Sequence, residues 1–297
     1  MYKELAIIAP TASGKTALSI KLAHKLDAII LSLDSLAVYK KIDIASAKPT
    51  VAERDGIVHF GIDCIYPDEV FDVIEFYEEY KKAKSYAKQN NKNLIIVGGT
   101  GFYLKSMIDG LSKTPTISEK TKLMVEEKLQ NLEALYQTLN NLDPEYMKKI
   151  ASTDKYRIEK ASQIYFETLL TPTEYFAQNK PEPLIDNINI FEITTDPQLL
   201  RERIKLRTKI MIEDGIIDEV IALEKEYTRA PNCMSSIGIV ETLDYLDSKI
   251  NKTELENLIA IHTAQLAKRQ RTFNKSQFKN VKQQSLDKME DLILSYY

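Results

Sequence analysis

Three stretches predict an α/β protein, a parallel sheet core interrupted by a helical insertion. In the first, the apolar Ile7-Ile8 breaks into Ala9-Pro10-Thr11-Ala12-Ser13-Gly14-Lys15-Thr16, and a helical pattern follows at once. In the second, Leu94-Ile95-Ile96-Val97 ends in Gly98-Gly99-Thr100-Gly101 before another helical run. Each is a strand that turns through glycine into a helix, the repeating unit of parallel sheets. The third is a change of character over residues 113–186, where the chain becomes helical and charged and strong strand runs stop.

In chain order, residues 5–9 read as the first strand. Residues 15–26 read as a helix whose Leu18, Leu22 and Leu26 recur every fourth position. The run Ala28-Ile29-Ile30-Leu31-Ser32 is too short for a stable helix and suits a buried parallel strand. Residues 58–62 offer another short strand, and Asp72 is placed to cap the helix through Ile74, Tyr77 and Lys81. The strand at residues 94–97 follows. Within the insertion, Asp143-Pro144 and Asp154 each mark a helix start. Strand signals return at residues 188–193, and Asp196-Pro197 opens a long helix bearing Arg201, Arg203, Arg207 and Lys209 that ends near Gly215. A further helix spans residues 216–227. Thr253 and Glu256 have the spacing of a capping box for a last helix through Ile261, Leu266 and Arg269. The expected division is residues 1–112 with 187–297 as the core, and 113–186 as the insertion.

Hydrophobic residues at 44% and charged residues at 28% of 297 suit a soluble globular chain, and no apolar run reaches the length of a membrane span. The N-terminus enters the first strand without a signal-type hydrophobic region, so the cytoplasm is the expected compartment. Cys64 and Cys233 form no Cys-x-x-Cys pair and have no histidine at ligand spacing, which argues against zinc. His24, His59 and His262 do not cluster in sequence.

The first glycine turn carries the chemistry of a phosphate cradle. Backbone N–H groups turn inward, the following helix offers its unpaired N-terminal donors, Lys15 adds a charge, and the Thr16 hydroxyl can bind Mg²⁺. Ala9 stands where this motif usually has glycine. A residue before proline is steered to extended backbone, which alanine adopts without strain. Asp34, at the end of the second strand, belongs near that loop because ligands of open α/β sheets sit beyond the strands' carboxyl ends. It could serve as the Mg²⁺-linked aspartate of a nucleotide hydrolase or as a proton acceptor, and the residues alone leave both open. Residues 268–279 hold five basic residues, two phenylalanines and no acid on a chain of net charge -3. That is an electrostatic footprint for nucleic-acid phosphate, or equally a solvated helix end.

Taken together, the ordered motifs resemble those of the bacterial tRNA dimethylallyltransferase family. They are Ala9 to Thr16, Asp34-Ser35 with Val38-Tyr39-Lys40 and Asp43-Ile44, Ala47-Lys48-Pro49, and Val97 to Lys105. Arg157-Ile158, Met211 to Gly215, Ile237-Gly238 and Gln265-Leu-Ala-Lys-Arg-Gln270 complete the series. The chain departs from the family pattern at Ala9, at Leu36-Ala37 where glutamine is common second, at Ala45-Ser46 in place of Gly-Thr, and at Phe273 in place of tryptophan.

The resemblance implies a P-loop nucleotide-kinase-like core whose insertion helps grip the tRNA anticodon stem-loop. It also implies transfer of a dimethylallyl group from dimethylallyl diphosphate to N6 of adenosine 37, by a monomer using Mg²⁺. Under it Thr11, Ala12, Ser13, Gly14, Lys15 and Thr16 hold the diphosphate, with Thr16 on the metal, and Asp34, Thr100 and Arg207 are catalytic, Arg203 being second choice for the arginine. Contacts to tRNA fall to Asp34, Ser35, Leu36, Ala37, Thr100, Lys122, Tyr156, Arg157, Ile158, Glu159, Lys160, Lys275 and Lys279.

Overall fold

A computed structural model describes residues 2–297. In chain order the elements are β1 (Glu4–Ile8), α1 (Lys15–Lys25), β2 (Ala28–Leu33), β3 (His59–Phe60), α2 (Val73–Gln89), β4 (Asn93–Gly98) and α3 (Gly101–Asp109). Then come α4 (Glu119–Lys128), α5 (Leu132–Leu142), α6 (Pro144–Met147), α7 (Lys155–Thr168) and α8 (Pro172–Gln178). The chain closes with β5 (Asn189–Thr194), α9 (Pro197–Glu213), α10 (Ile216–Tyr227), α11 (Ile239–Leu246), α12 (Lys252–Gln277), β6 (Lys282–Ser285) and α13 (Leu286–Leu294). It separates into two compact units, one running to Ser106 and resuming over Ile185–Tyr297, the other Met107–Leu184.

The first unit is built on a six-stranded, all-parallel sheet in the order β3-β2-β4-β1-β5-β6. This is the P-loop α/β architecture. Strands buried on both faces read as continuous apolar runs, which is why β1, β2 and β4 are legible in sequence. Alternate residues divide between the faces. Leu5, Ile7, Ile30, Ile95 and Val97 meet Leu18 and Leu22 of α1 and Met289 and Ile293 of α13. On α2, Phe76 stacks on Tyr103, their ring centroids 4.5 Å apart. β1 is central, so the loop that follows it opens among the carboxyl ends of its neighbours.

β6 has no apolar signal, reading Lys-Gln-Gln-Ser. It is held at the edge by its ladder to β5 and by side chains: Lys282 Nζ donates to Asn189 Oδ1 at 2.6 Å, and Gln283 Nε2 donates to the buried Glu192 at 2.6 Å. The capping box of α12 lies two residues earlier than its spacing suggests. Asn251 Oδ1 accepts from Glu254 N at 3.0 Å and Glu254 Oε2 from Asn251 N at 2.8 Å, while Thr253 lies inside the helix.

The second unit is helical. Asp143 caps α6, Asp154 caps α7, and Thr171 with Glu174 closes a capping box on α8. Leu135, Leu139, Met147, Ile150, Ile158 and Ala161 form its core. Among the described residues no helix is long and apolar enough to cross a membrane.

Candidate active site

Residues 9–14 must connect β1 to α1 in a tight turn. Gly14 makes this possible by taking φ 88° as the N-cap of α1, a backbone that a Cβ would strain. Ala12 is also left-handed, at φ 61°, which costs an alanine about 1–2 kcal/mol. Left-handed residues alternating with ordinary ones turn successive N–H groups to one side, forming an anion-binding concavity. Ser13 between them is fully buried and its hydroxyl has no partner among the described residues. Ala9 is buried and does not take a positive φ, so the missing glycine costs the loop no backbone freedom it uses.

Asp34 leaves β2 and folds into an Asx turn, its Oδ1 accepting from Leu36 N at 2.8 Å and Ala37 N at 3.1 Å. The other carboxylate oxygen, Oδ2, takes no part in that turn. Beside it, the Thr100 backbone donates to Leu33 O at 3.0 Å, which fixes the second glycine turn against the first residue before Asp34. Thr100's hydroxyl makes no hydrogen bond among the described residues. Both side chains line one cavity of about 340 Å³, together with Thr11, Lys15, Thr16 and Arg207. Among the described residues lining it, Asp34 is the one acid.

The charge in this cavity is unbalanced. The Lys15 side chain is half-buried. Burial and the nearby Arg207 push its pKa down to about 8, and Asp34 opposes that shift. Burial likewise lowers the Arg207 pKa against the pull of Asp34. Two partly buried cations sharing a cavity with one carboxylate are short of negative charge, a deficit that a bound anion supplies. Arg207 Nη1 donates to Thr11 Oγ1 at 2.9 Å, whereas Arg203 reaches only the Ser13 carbonyl at 3.5 Å. The geometry therefore separates the two arginines that sequence alone could only rank.

Two supports of the cavity were not legible in sequence. Glu219, in the first turn of α10, accepts from the amides of Asp43 at 2.8 Å, Ile44 at 2.7 Å and Ala45 at 2.9 Å, and so pins the loop that carries Ala45 and Ser46 to the cavity wall. Lys48, with a side chain only 4% exposed, bonds the Tyr39 carbonyl at 2.9 Å and pairs with Asp43 at 2.7 Å and Asp63 at 2.5 Å. Glu219 joins segments more than 170 residues apart, and Lys48 reaches across a loop at no regular period, so local spacing encodes neither.

Of the remaining predicted contacts, Ser35, Leu36 and Ala37 also line this cavity and the others do not. Lys122 pairs with Glu119 at 2.5 Å on α4. On α7, Tyr156 is 68% exposed, Arg157 pairs with Asp154 at 3.1 Å, and the Lys160 ammonium lies 5.6 Å from the Tyr156 ring centroid. Glu159 accepts from Gln163 at 3.0 Å. Ile158 is a correction: it is fully buried in its unit's core, so its side chain offers nothing to an RNA surface. Ala37 is 3% exposed but lines the cavity, while Ser35 is exposed and Leu36 half-buried. Lys275 and Lys279 are exposed near the end of α12. With Lys268, Arg269 and Arg271 they form no ion pair among the described residues. Unneutralised cations on one helix end suit a polyanion.

Thr16 is exposed, and its hydroxyl makes no hydrogen bond among the described residues. No group of three or more His, Cys, Asp or Glu there could hold a metal alone. The Thr16 hydroxyl is the kind of oxygen that would hold Mg²⁺ beside a bound phosphate.

The family model described as IPP transferase matches residues 37–277. The tRNA dimethylallyltransferase of Aliarcobacter butzleri is 57% identical over 295 residues, covering 99% of each chain. That of Sulfurovum sp. is 56% identical over 293 residues, covering 98% of this chain and 97% of its own. Among solved structures, the tRNA isopentenylpyrophosphate transferase of Bacillus halodurans superposes with a TM-score of 0.73 at 28% identity, covering 100% of this chain and 95% of its own. A eukaryotic dimethylallyltransferase acting on tRNA reaches a TM-score of 0.83 at 26% identity over 99% of this chain and 77% of its own. With the phosphate loop, the Asp34 turn and the second glycine turn gathered on one cavity, and with identity sustained along the whole length, the chain belongs to the IPP transferase family, that of the tRNA dimethylallyltransferases.

Proposed function

We propose that this enzyme transfers a dimethylallyl group from dimethylallyl diphosphate to N6 of adenosine 37 in tRNA, 3′ to the anticodon, and releases diphosphate. The observation that carries the reading is the pair of partly buried cations, Lys15 and Arg207, lining one cavity with its lone acid Asp34. The cations suit a diphosphate and the acid suits an amine that must lose a proton. N6 attacks the allylic carbon as the bond from that carbon to the diphosphate oxygen breaks, and the electron pair leaves with the diphosphate. The N6 proton passes to Asp34 Oδ2, the oxygen outside the Asx turn. Lys15 and Arg207 bind the diphosphate and stabilise the charge that grows on it. Thr16 would hold Mg²⁺, which when bound neutralises phosphate charge. A loop nucleotide unstacks at less cost than a paired one, which suits entry of the base beside Thr100. Tyr156, Arg157, Lys160, Lys122 and the end of α12 are left to hold the anticodon stem. The enzyme would act as a monomer in the cytoplasm.

The test supplies purified enzyme and Mg²⁺ with unmodified tRNA and either dimethylallyl diphosphate or ATP. Prenylated tRNA with the first donor only is expected. Phosphorylation from ATP, or binding without turnover, would overturn the reading.

Donor affinity should depend on pH with a definite sign. Below about 8 Lys15 carries its charge, and above it donor binding must first return a proton to Lys15. The donor Kd should therefore be flat from pH 6 to 7.5 and rise by up to about tenfold per unit above 8. Calorimetric titration showing constant affinity to pH 9.5 would remove Lys15 from the diphosphate.

Phosphate contacts carry no base identity. Replacing Lys275 and Lys279 with glutamine should weaken all substrate tRNAs alike and reduce the slope of log K against log salt by about 1–2, leaving the rate at saturating tRNA unchanged. Wild-type affinity and slope in the double variant would assign both lysines to an ordinary solvated face.

A further inference from the structure

Gln270 lies on the inward side of α12, opposite the basic residues of the same helix segment, and lines the cavity without being needed for any step above. Its Oε1 accepts from the backbone N–H of Thr11 at 3.0 Å. Thr11 Oγ1 in turn accepts from Arg207 Nη1 at 2.9 Å. One side chain on α12 thus holds the residue that holds the arginine. The other end of the amide rests on the second glycine turn: a Cβ built at Gly99 would come within 2.4 Å of Gln270 Nε2. One helical turn later Asn274 meets Gly101 in the same way, with Oδ1 2.7 Å from the corresponding position. Residues four apart share a helix face, so the two amides bracket Thr100 between them.

We infer that Gln270 is a positioning residue that sets the guanidinium of Arg207 through Thr11 and fixes the spacing between the phosphate loop and the Thr100 turn. A corollary separates Thr11 from the other loop amides: its N–H is committed to Gln270 and does not join the anion concavity, leaving its hydroxyl to face the site. A partly buried N–H stripped of its acceptor is costly, so the loop would shift to find another partner and carry Arg207 with it. An interaction that matters as charge develops on the leaving group appears in the rate of the chemical step more than in donor affinity.

The inference rests on the prenyl-transfer reading, and its test uses Gln270→Met and Thr11→Val, each in native and Arg207→Lys backgrounds. Single-turnover transfer at saturating donor and tRNA should slow by roughly tenfold in each single variant, with the dimethylallyl diphosphate Kd within about threefold of native in the Gln270 variants. In the Arg207→Lys background the further loss should be about twofold or less, because the effect runs through Arg207. Gln270→Asn, which keeps the amide but withdraws it by one methylene, should show the same pattern if the methionine variant folds poorly. Amide hydrogen exchange supplies a readout free of turnover: the Thr11 N–H should be protected in the native enzyme and lose protection in both Gln270 variants. A native rate in the Gln270 variants, losses that multiply with Arg207→Lys, or a deficit confined to tRNA affinity would each overturn the inference. So would unchanged Thr11 exchange. Absence of transfer by the native enzyme would instead defeat the activity reading, and the exchange result would still judge Gln270.

Discussion

Asp34→Asn should lower the rate at saturating substrates by roughly 10²–10⁴-fold while leaving tRNA affinity within a few-fold of native. The choice of asparagine follows from the geometry. Asp34 Oδ1 accepts from the amides of Leu36 and Ala37, and an asparagine oxygen preserves that turn while removing the basic oxygen beside it. Asp34→Ala should match or exceed the kinetic loss and also lower stability, by about 1 kcal/mol for each turn hydrogen bond lost. The comparison separates the turn from the chemistry: a near-native rate in the asparagine variant would make Asp34 a turn former and nothing more.

Lys15→Ala should cut kcat/KM for the donor by roughly 10²–10³-fold, since it deletes a half-buried charge aimed at the diphosphate. The same substitution is expected to raise the melting temperature of the free enzyme at neutral pH. The folded pKa of about 8 lies below the ordinary 10.5, so the charged form is disfavoured by folding, on the order of 3 kcal/mol. The unfolded chain holds its proton up to about 10.5 and the folded chain releases it above about 8, so native stability should climb with pH between those values. The alanine variant should lack that climb. Lower stability with unchanged donor use would mean that Lys15 supports the fold rather than the ligand.

Residues that act through neighbours in sequence were legible, and those that act across the fold were not. The phosphate loop, the Asp34 turn and Gly98 to Gly101 each combine an apolar strand with a compact polar turn, and both halves of the signal are local. β6 escaped because an edge strand of Lys-Gln-Gln-Ser is specified by its partner β5 and not by its own hydrophobicity. The α12 capping box was displaced because Thr253-Glu256 and Asn251-Glu254 have identical spacing, and only the backbone decides which pair stands at the end. Residues 156–160 lie within α7 and cannot form one contact strip. Five consecutive residues on a helix cannot share a face, and Ile158 falls inward with Ala161 three positions on. Glu219, Lys48 and Gln270 bind backbone groups more than a hundred residues away or across a loop, which spacing alone does not encode.

The position of the transferred group tests the central claim most directly. Unmodified tRNA treated with enzyme, Mg²⁺ and dimethylallyl diphosphate is cut with ribonuclease, and the fragment masses are read. The account predicts one dimethylallyl increment, confined to the fragment with adenosine 37, and none when that nucleotide is replaced by guanosine. An increment on another fragment, or one that survives the replacement, would contradict it.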